Sequence, residues 1–335
     1  MKGKVKGAAA VRRWFALAEE ALATHSGRLN RLNVFPVPDS DTGANMLATV
    51  RACRRAADAA TDSDDLGEVL SEAGAEAMGG ACGNSGTLLA VLISGFAEPL
   101  HGRQRLTVEG LSQGLDRASL RAWSALSQPV EGTLLSVLDA VRDQARSGAA
   151  QAHEPESRAA LEDAMVPMVK TAREALVRTE HQLPPLTEAR VVDSGGLGLL
   201  LVLDALRATI TGTQLDDSLL EGLSGWDAAS QQPAAGDSSG HDSDAVELMC
   251  TVRLDPLGAA SLRHQLDELG ESVIITPIGP GSEAAENGTY RWRIHVHTAE
   301  AEATLSAVRS SGVLESSTLT PLGRRPSAHS AGSAG

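Results

Sequence analysis

The feature that most constrains this chain is a succession of helix-period segments, rich in Ala and Leu, that fills residues 7–212. Apolar residues recur there at three- and four-residue intervals, the spacing that gives a helix one buried face. The pattern predicts helices over 7–27, 44–60, 66–79, 86–98, 107–127, 133–147, 155–180 and 195–212. Nothing in this region alternates apolar and polar residues for long enough to suggest a sheet. Helices joined mostly by short connections pack as antiparallel neighbours. The expected architecture is an eight-helix antiparallel up-and-down barrel or bundle.

That topology sorts the loops into two sets. The first, third, fifth and seventh are RLNVFPVPDSDTGAN, MGGACGNSG, SQPVEGT and PPLTEARVVDSGG. The second, fourth and sixth are TDSDD, EPLHGRQR and SGAAQAHEPE, which are merely polar. Odd-numbered loops of an up-and-down barrel all fall at one end, so the unusual chemistry is expected to gather on a single pole.

Downstream the pattern changes. Residues 226–245 are rich in Ser, Gly, Ala and Asp without apolar periodicity, and 213–245 is read as a flexible linker. Strands are then expected at 246–254, 272–278 and 290–298, with helices at 257–269 and 301–312. The division is a helical domain at 1–212, the linker, a small α/β domain at 246–320 and a disordered tail at 321–335. The fold class is therefore α plus α/β.

Charge narrows the functions. Asp plus Glu number 43 against 29 Lys plus Arg, a formal net charge of −14. That excess opposes sequence-independent nucleic-acid binding and adhesion to an anionic membrane. With four Trp, three Phe and one Tyr, the chain has little with which to build a base-stacking surface. No apolar run reaches the ~18 residues of a membrane span. Arg12, Arg13, Glu19 and Glu20 interrupt the N-terminal apolar stretch, which reads as an amphipathic helix rather than a signal peptide. Cys53, Cys82 and Cys250 are odd in number and far apart, so no disulfide scaffold is expected and the cytoplasm is the natural setting.

Asp39 and Asp41 stand in a Pro/Gly-framed loop just before a helix. One or two carboxylates completed by phosphate oxygens suit Mg²⁺, which can bridge and neutralise those oxygens during transfer. The competing reading is an Asp-rich turn and N-cap. An EF-hand is excluded, because Gly43 and Val50 occupy positions that need oxygen ligands. In Gly79-Gly80-Ala-Cys-Gly83-Asn84-Ser85-Gly86-Thr87, glycines and a helix start can bring free N–H groups to a phosphate. No Gly-Lys-Ser/Thr ending makes it a Walker A loop. Thr133 and Asp193-Ser194-Gly195 repeat the theme, each also readable as a plain N-cap. Cys82 adjoins a helix N-terminus, which can lower a thiol pKa, but is read as a passive small residue.

In the second domain, Cys250, His295 and His297 are candidate Zn²⁺ ligands, and His-x-His puts both rings on one strand face. Period-2 alternation places Cys250 with Leu248 and Val252, and the histidines with Arg291 and Arg293. A bulge would be needed to reunite them, and a buried Cys with two solvated histidines is the competing reading.

NVFPVPDSDTGANM, GNSG, PVEGT and VVDSGGLGLL together resemble the ATP-binding domain of the dihydroxyacetone kinase L-subunit (DhaL) type. More specifically, they resemble the ATP-binding subunit of bacterial fatty acid kinase, without the C-terminal domain that such subunits often carry. The resemblance covers about residues 7–212 and implies an eight-helix barrel holding Mg-ATP in the loops at one end. By resemblance Asp39 and Asp41 would be Mg²⁺ ligands and catalytic, with Asn33 a nearby helper. Asn45, Gly83, Asn84, Ser85, Gly86 and Thr133 would lie around the phosphates, and Asp193, Ser194 and Gly195 would close the nucleotide pocket. The Cys/His site of the second domain resembles one implicated in zinc binding. Ser40, Ala44, Cys82 and Gln128 depart from the family's usual glycine, threonine, arginine and lysine.

The expected function is transfer of the γ-phosphoryl of Mg-ATP to a small acceptor held by a partner. That partner would be a fatty-acid-binding protein or, failing that, a dihydroxyacetone (glycerone)-binding subunit. A homodimer stays open, and no nucleic acid is expected. A non-catalytic nucleotide-binding regulator or scaffold is the alternative, and a zinc hydrolase centred on Cys250, His295 and His297 is a third reading.

Overall fold

The computed structural model describes residues 7–231, 245–278 and 288–322. Its helical part comprises α1 (Gly7–Leu32), α2 (Thr42–Ala59), α3 (Leu66–Gly80), α4 (Gly83–Ala97), α5 (Val108–Ala125), α6 (Leu134–Gln151), α7 (Arg158–Gln182), the short α8 (Pro184–Ala189), α9 (Ser194–Thr211) and the short α10 (Trp226–Gln231). The eight long helices pack in chain order, and α9 returns against α1 to close the ring. Closure lets every helix bury one stripe. Phe15, Leu22, Met46, Leu70, Leu89, Leu111 and Leu115 are fully enclosed, each such side chain contributing about 1.5–3 kcal/mol of transfer free energy.

α9 is apolar on nearly all sides because it packs against α1, α2, α6 and α7. At 18 residues it has the length and mean hydropathy of a membrane span, yet Asp204 and Arg207 interrupt its apolar run and it lies mostly inside the barrel. Its buried Asp204 pairs with Arg207 at 2.6 Å.

Capping residues mark where the helices begin. Asp65, Thr107, Thr133, Ser157 and Asp193 each accept a hydrogen bond from a backbone N–H of the helix that follows, supplying partners to donors that the helix itself cannot satisfy. The odd-numbered loops do meet at one pole. Ser194 at the start of α9 donates to Thr42 Oγ1 at the start of α2 (3.2 Å), and Thr49 on α2 donates to the Gly86 carbonyl on α4 (3.1 Å). A Cβ added at Gly132 would meet Gln182 and Leu183 at the end of α7. At the opposite pole Gly102 N–H donates to Asp65 (2.5 Å) and Leu66 N–H to the Arg103 carbonyl (2.8 Å).

The start of the expected linker needs correction. Leu220, Leu223, Trp226 and Ala229 are buried in the barrel's own core. Arg28 stacks over Trp226, and Arg31 donates to the Ala229 carbonyl. A three-residue apolar rhythm hidden in polar composition therefore straps residues 213–231 onto the barrel. Residues 232–244 and 323–335, where the rest of the linker and most of the tail were expected, lie outside the described residues.

The second domain contains β1 (Val246–Leu254), α11 (Pro256–Leu269), β2 (Glu271–Pro277), β3 (Tyr290–Thr298), α12 (Ala301–Ser311) and β4 (Val313–Pro321). The sheet order is β2-β3-β1-β4 with every pairing antiparallel, the split βαβ arrangement. β4, which ends where the tail was expected to begin, is an addition to the sequence reading. Leu248, Cys250, Val252, Val273, Ile275, Ile294 and Val296 form one core with α11 and α12. The opposite face meets the barrel. Ile274 belongs to the barrel's core and bridges to Leu126, while Ser127 N–H donates to the Val273 carbonyl (3.0 Å). Arg263 of α11 adds bonds to the Ser124 and Ile275 carbonyls.

Candidate functional site

The loop after α1 returns to the barrel pole and sets Asp39 and Asp41 beside the first turn of α2. Ser40 between them adopts φ 57°, a left-handed conformation that costs a non-glycine residue about 1 kcal/mol. Asn33 at the end of α1 is buried, and its Nδ2 donates to Asp39 Oδ1 at 2.5 Å. Burial and the neighbouring Asp41 charge push the Asp39 carboxyl up to about 8. Asp41 is also raised, by burial first and by the charge of Glu247. Two carboxylates confined together without a cation repel one another, and a divalent ion removes that penalty.

Facing them is the start of α4. Gly83 has φ 62°, a conformation that favours glycine, and a Cβ there would lie 2.2 Å from Asn45 Nδ2, which would have to move aside. Asn84 Oδ1 is buried with no hydrogen-bond partner among the described residues, and the side chain of Asn45, buried at Nδ2, reaches Asp41. Ser85 is partly exposed, and Gly86 allows α4 to approach Asn45 and Thr49 of α2 closely.

The other expected residues do structural work at the same pole. Thr133 caps α6. Asp193 accepts from Gly196 N–H at 2.6 Å and from the backbone of Leu134, joining the starts of α9 and α6. Burial pushes its carboxyl up to about 6. Ser194 is buried against Thr42, and Gly195 lies beside Asp193 and Leu134. The Cys82 thiol is pushed up by desolvation and by Glu247, which argues against a reactive thiolate.

The expected Cys250–His295–His297 group does not assemble. Cys250 pairs in register with Ile294 and points into the α11/α12 core, where burial pushes its thiol up to about 12. His295 and His297 occupy the opposite face, and the regular β1–β3 register contains no bulge to reunite them. Glu247, the register partner of His297, takes the third position. Glu247, His295 and His297 are all buried, with one ligand atom from each within 4.8 Å of the others. Burial and the neighbouring His295 push His297 down to about 4, which leaves its ring neutral at pH 7. Nδ1 of His295 and of His297 has no hydrogen-bond partner among the described residues. Two imidazoles and a carboxylate with unused lone pairs fit a borderline-soft divalent ion such as Zn²⁺.

Sequence reading missed Glu247, although it shares the histidines' parity, because cross-strand register decides which acid meets them. The triad is continuous with the barrel pole. Gly83 N–H donates to Glu247 Oε1 at 2.7 Å, and the same oxygen lies 3.0 Å from His295 Nε2. Burial pushes Glu247 up, but the nearby His295, the Gly83 N–H and His297 together outweigh this and hold it low. Arg293 on the same strand donates to the Ala81 carbonyl (3.3 Å).

A closed helical barrel with paired aspartates and a glycine-led helix start at one pole is thus defined by the coordinates. The DAK2 domain family model matches residues 36–208, and the chain belongs to that family. It is 31% identical over 288 residues to Protein YloV of Bacillus subtilis, covering 83% of this chain and 49% of that protein. To the uncharacterized protein SERP0792 of Staphylococcus epidermidis it is 29% identical over 295 residues, covering 83% of this chain and 48% of the other. The chain spans about half the length of the curated relatives it matches. It is also similar to the dihydroxyacetone kinase from C. freundii in complex with AMP-PNP and Mg²⁺. That match has a TM-score of 0.44 and 18% identity, over 59% of this chain and 33% of that one.

Proposed function

We propose that this chain is the nucleotide-binding part of an ATP-dependent phosphotransferase, which passes the γ-phosphoryl of Mg-ATP to a small acceptor carried by a partner protein. A fatty acid on a fatty-acid-binding protein is the first choice of acceptor, and dihydroxyacetone on its binding subunit the second. The observation that carries this reading is the buried Asp39–Asp41 pair, with Asp39 held up at about 8, facing the Asn45 amide and the glycine-led start of α4. Asp39 and Asp41 would hold Mg²⁺, whose charge, when bound, neutralises phosphate oxygens. Asn33 would orient Asp39, while Asn45 and the start of α4 would bind phosphate oxygens. Catalysis would rest on positioning and charge compensation rather than on a protein nucleophile. The reaction is a cytoplasmic one in this reading.

The test is transfer of labelled γ-phosphate from Mg-ATP by the full chain, with each loaded carrier protein in turn. Acceptor-dependent transfer supports the kinase. Nucleotide binding with no transfer to either carrier supports the second reading, a nucleotide-responsive regulator or scaffold. One observation favours that alternative: Glu247 already engages the Gly83 N–H that a phosphate would use.

Glu247, His295 and His297 are proposed as a second cation site, with Zn²⁺ as the preferred ion. Metal analysis of the purified chain against His295→Ala tests it.

A further inference from the structure

One oxygen belongs to two sites. Glu247 Oε1 accepts from Gly83 N–H at 2.7 Å and stands 3.0 Å from His295 Nε2. The first contact places a carboxylate on the leading N–H of α4, a 15-residue helix whose N-terminus favours anions. The second makes the same carboxylate the third ligand of the histidine pair. Asn45 Nδ2 is buried directly beside Gly83, and its side chain also reaches Asp41, so the helix start and the acidic pair share one amide. The charge of Glu247 also reaches Asp41, which puts the acidic pair within the field of the triad.

We propose that Glu247 is a coupling residue. In the metal-free chain its carboxylate occupies the α4 start and competes with nucleotide phosphate. A divalent cation bound by His295 and His297 draws that carboxylate away and frees Gly83 N–H. Cation and Mg-nucleotide then bind with positive cooperativity. The coupling is reciprocal, because each ligand must change the other's affinity by the same factor. No covalent step is involved. The inference rests on the nucleotide and second-cation readings above, and adds that the two sites regulate one another.

The experiment titrates AMP-PNP with saturating Mg²⁺ into chelator-treated full chain, with and without stoichiometric Zn²⁺, and reads affinity calorimetrically. The expected result for wild type is an increase of about fivefold or more with Zn²⁺, the lower end of typical coupling. His295→Ala should keep the weaker, metal-free affinity and show no response to Zn²⁺. Glu247→Ala should bind AMP-PNP more tightly than wild type without Zn²⁺ and gain nothing from adding it. Glu247→Gln, which keeps the size and loses the charge, should fall on the same side as Glu247→Ala. Far-ultraviolet circular dichroism confirms that each variant is folded. Equal wild-type affinity with and without Zn²⁺, or a Glu247→Ala variant that binds no better than metal-free wild type, overturns the coupling alone. Wild type that binds no Mg-AMP-PNP under either condition overturns the nucleotide reading and the coupling with it.

Discussion

The two poles of the barrel are built from similar materials and end in different electrostatic states. At the far pole Asp65 uses both carboxylate oxygens: one accepts from Gly67 and Glu68 N–H at 2.7 and 3.1 Å, the other from Gly102 N–H. At the near pole Asp39 and Asp41 face each other, with Asn33 donating to Asp39. Burial first, and the neighbouring Asp41 charge, lift Asp39 to about 8, and Asp41 is raised as well, by burial first. A polar loop that satisfies its own groups is explained by folding. One that buries two carboxyls together without a cation has a stability cost that a ligand would remove.

Exchanging carboxylates for amides at each pole tests that contrast most sharply. Asp41→Asn should weaken Mg-AMP-PNP binding by at least about tenfold, with the melting temperature unchanged or raised because a buried charge is gone. Asp65→Ala should do the reverse, lowering stability by about 1 kcal/mol through loss of a cap and leaving nucleotide affinity intact. Calorimetry and thermal melting of the two variants suffice. Matching effects at both poles would erase the distinction.

Acidity gives a second, smaller effect. The Asp39 carboxyl, raised from 3.8 to about 8 in the folded chain, keeps its proton where an unfolded chain would release it. Between those values the metal-free fold therefore holds more protons than the unfolded chain and loses stability as pH rises. Mg²⁺ must displace that proton, so its affinity should rise by up to about tenfold per pH unit below pH 8 and then level off. An affinity flat from pH 6 to 8 would contradict the proposed state of the pair.

The smallest expected effect concerns Ser40. Glycine at φ 57° relieves the left-handed strain, so Ser40→Gly should stabilise the protein by up to about 1 kcal/mol, less the added freedom of the unfolded chain. Chemical denaturation measures it.

The barrel was legible because each long helix carries its own apolar period and each odd loop its own signature. α9 could be read as a helix from VVDSGGLGLLLVLDAL alone. What escaped was structure set by neighbours. β4, VLESSTLTP, is an almost wholly exposed strand whose partner is β1, so no buried alternation betrays it. Trp226 and Leu223 were hidden in linker-like composition and acquire meaning only against α1. Asp39, Asp41 and Asn45 were readable from a contiguous motif. The third member of the histidine group was not, since Glu247 lies far from His295 and His297 in sequence and reaches them through cross-strand register. Cys250 had the more suggestive chemistry and the wrong parity.

The central claim is that Asp39 and Asp41 grip a divalent ion carrying a nucleotide. Crystals of the full chain grown with Mn²⁺ and AMP-PNP test it directly through the anomalous signal of the metal. The account predicts a peak between the two carboxylates and in contact with the phosphate chain. Phosphates bound away from this pair, with no metal between Asp39 and Asp41, would contradict it.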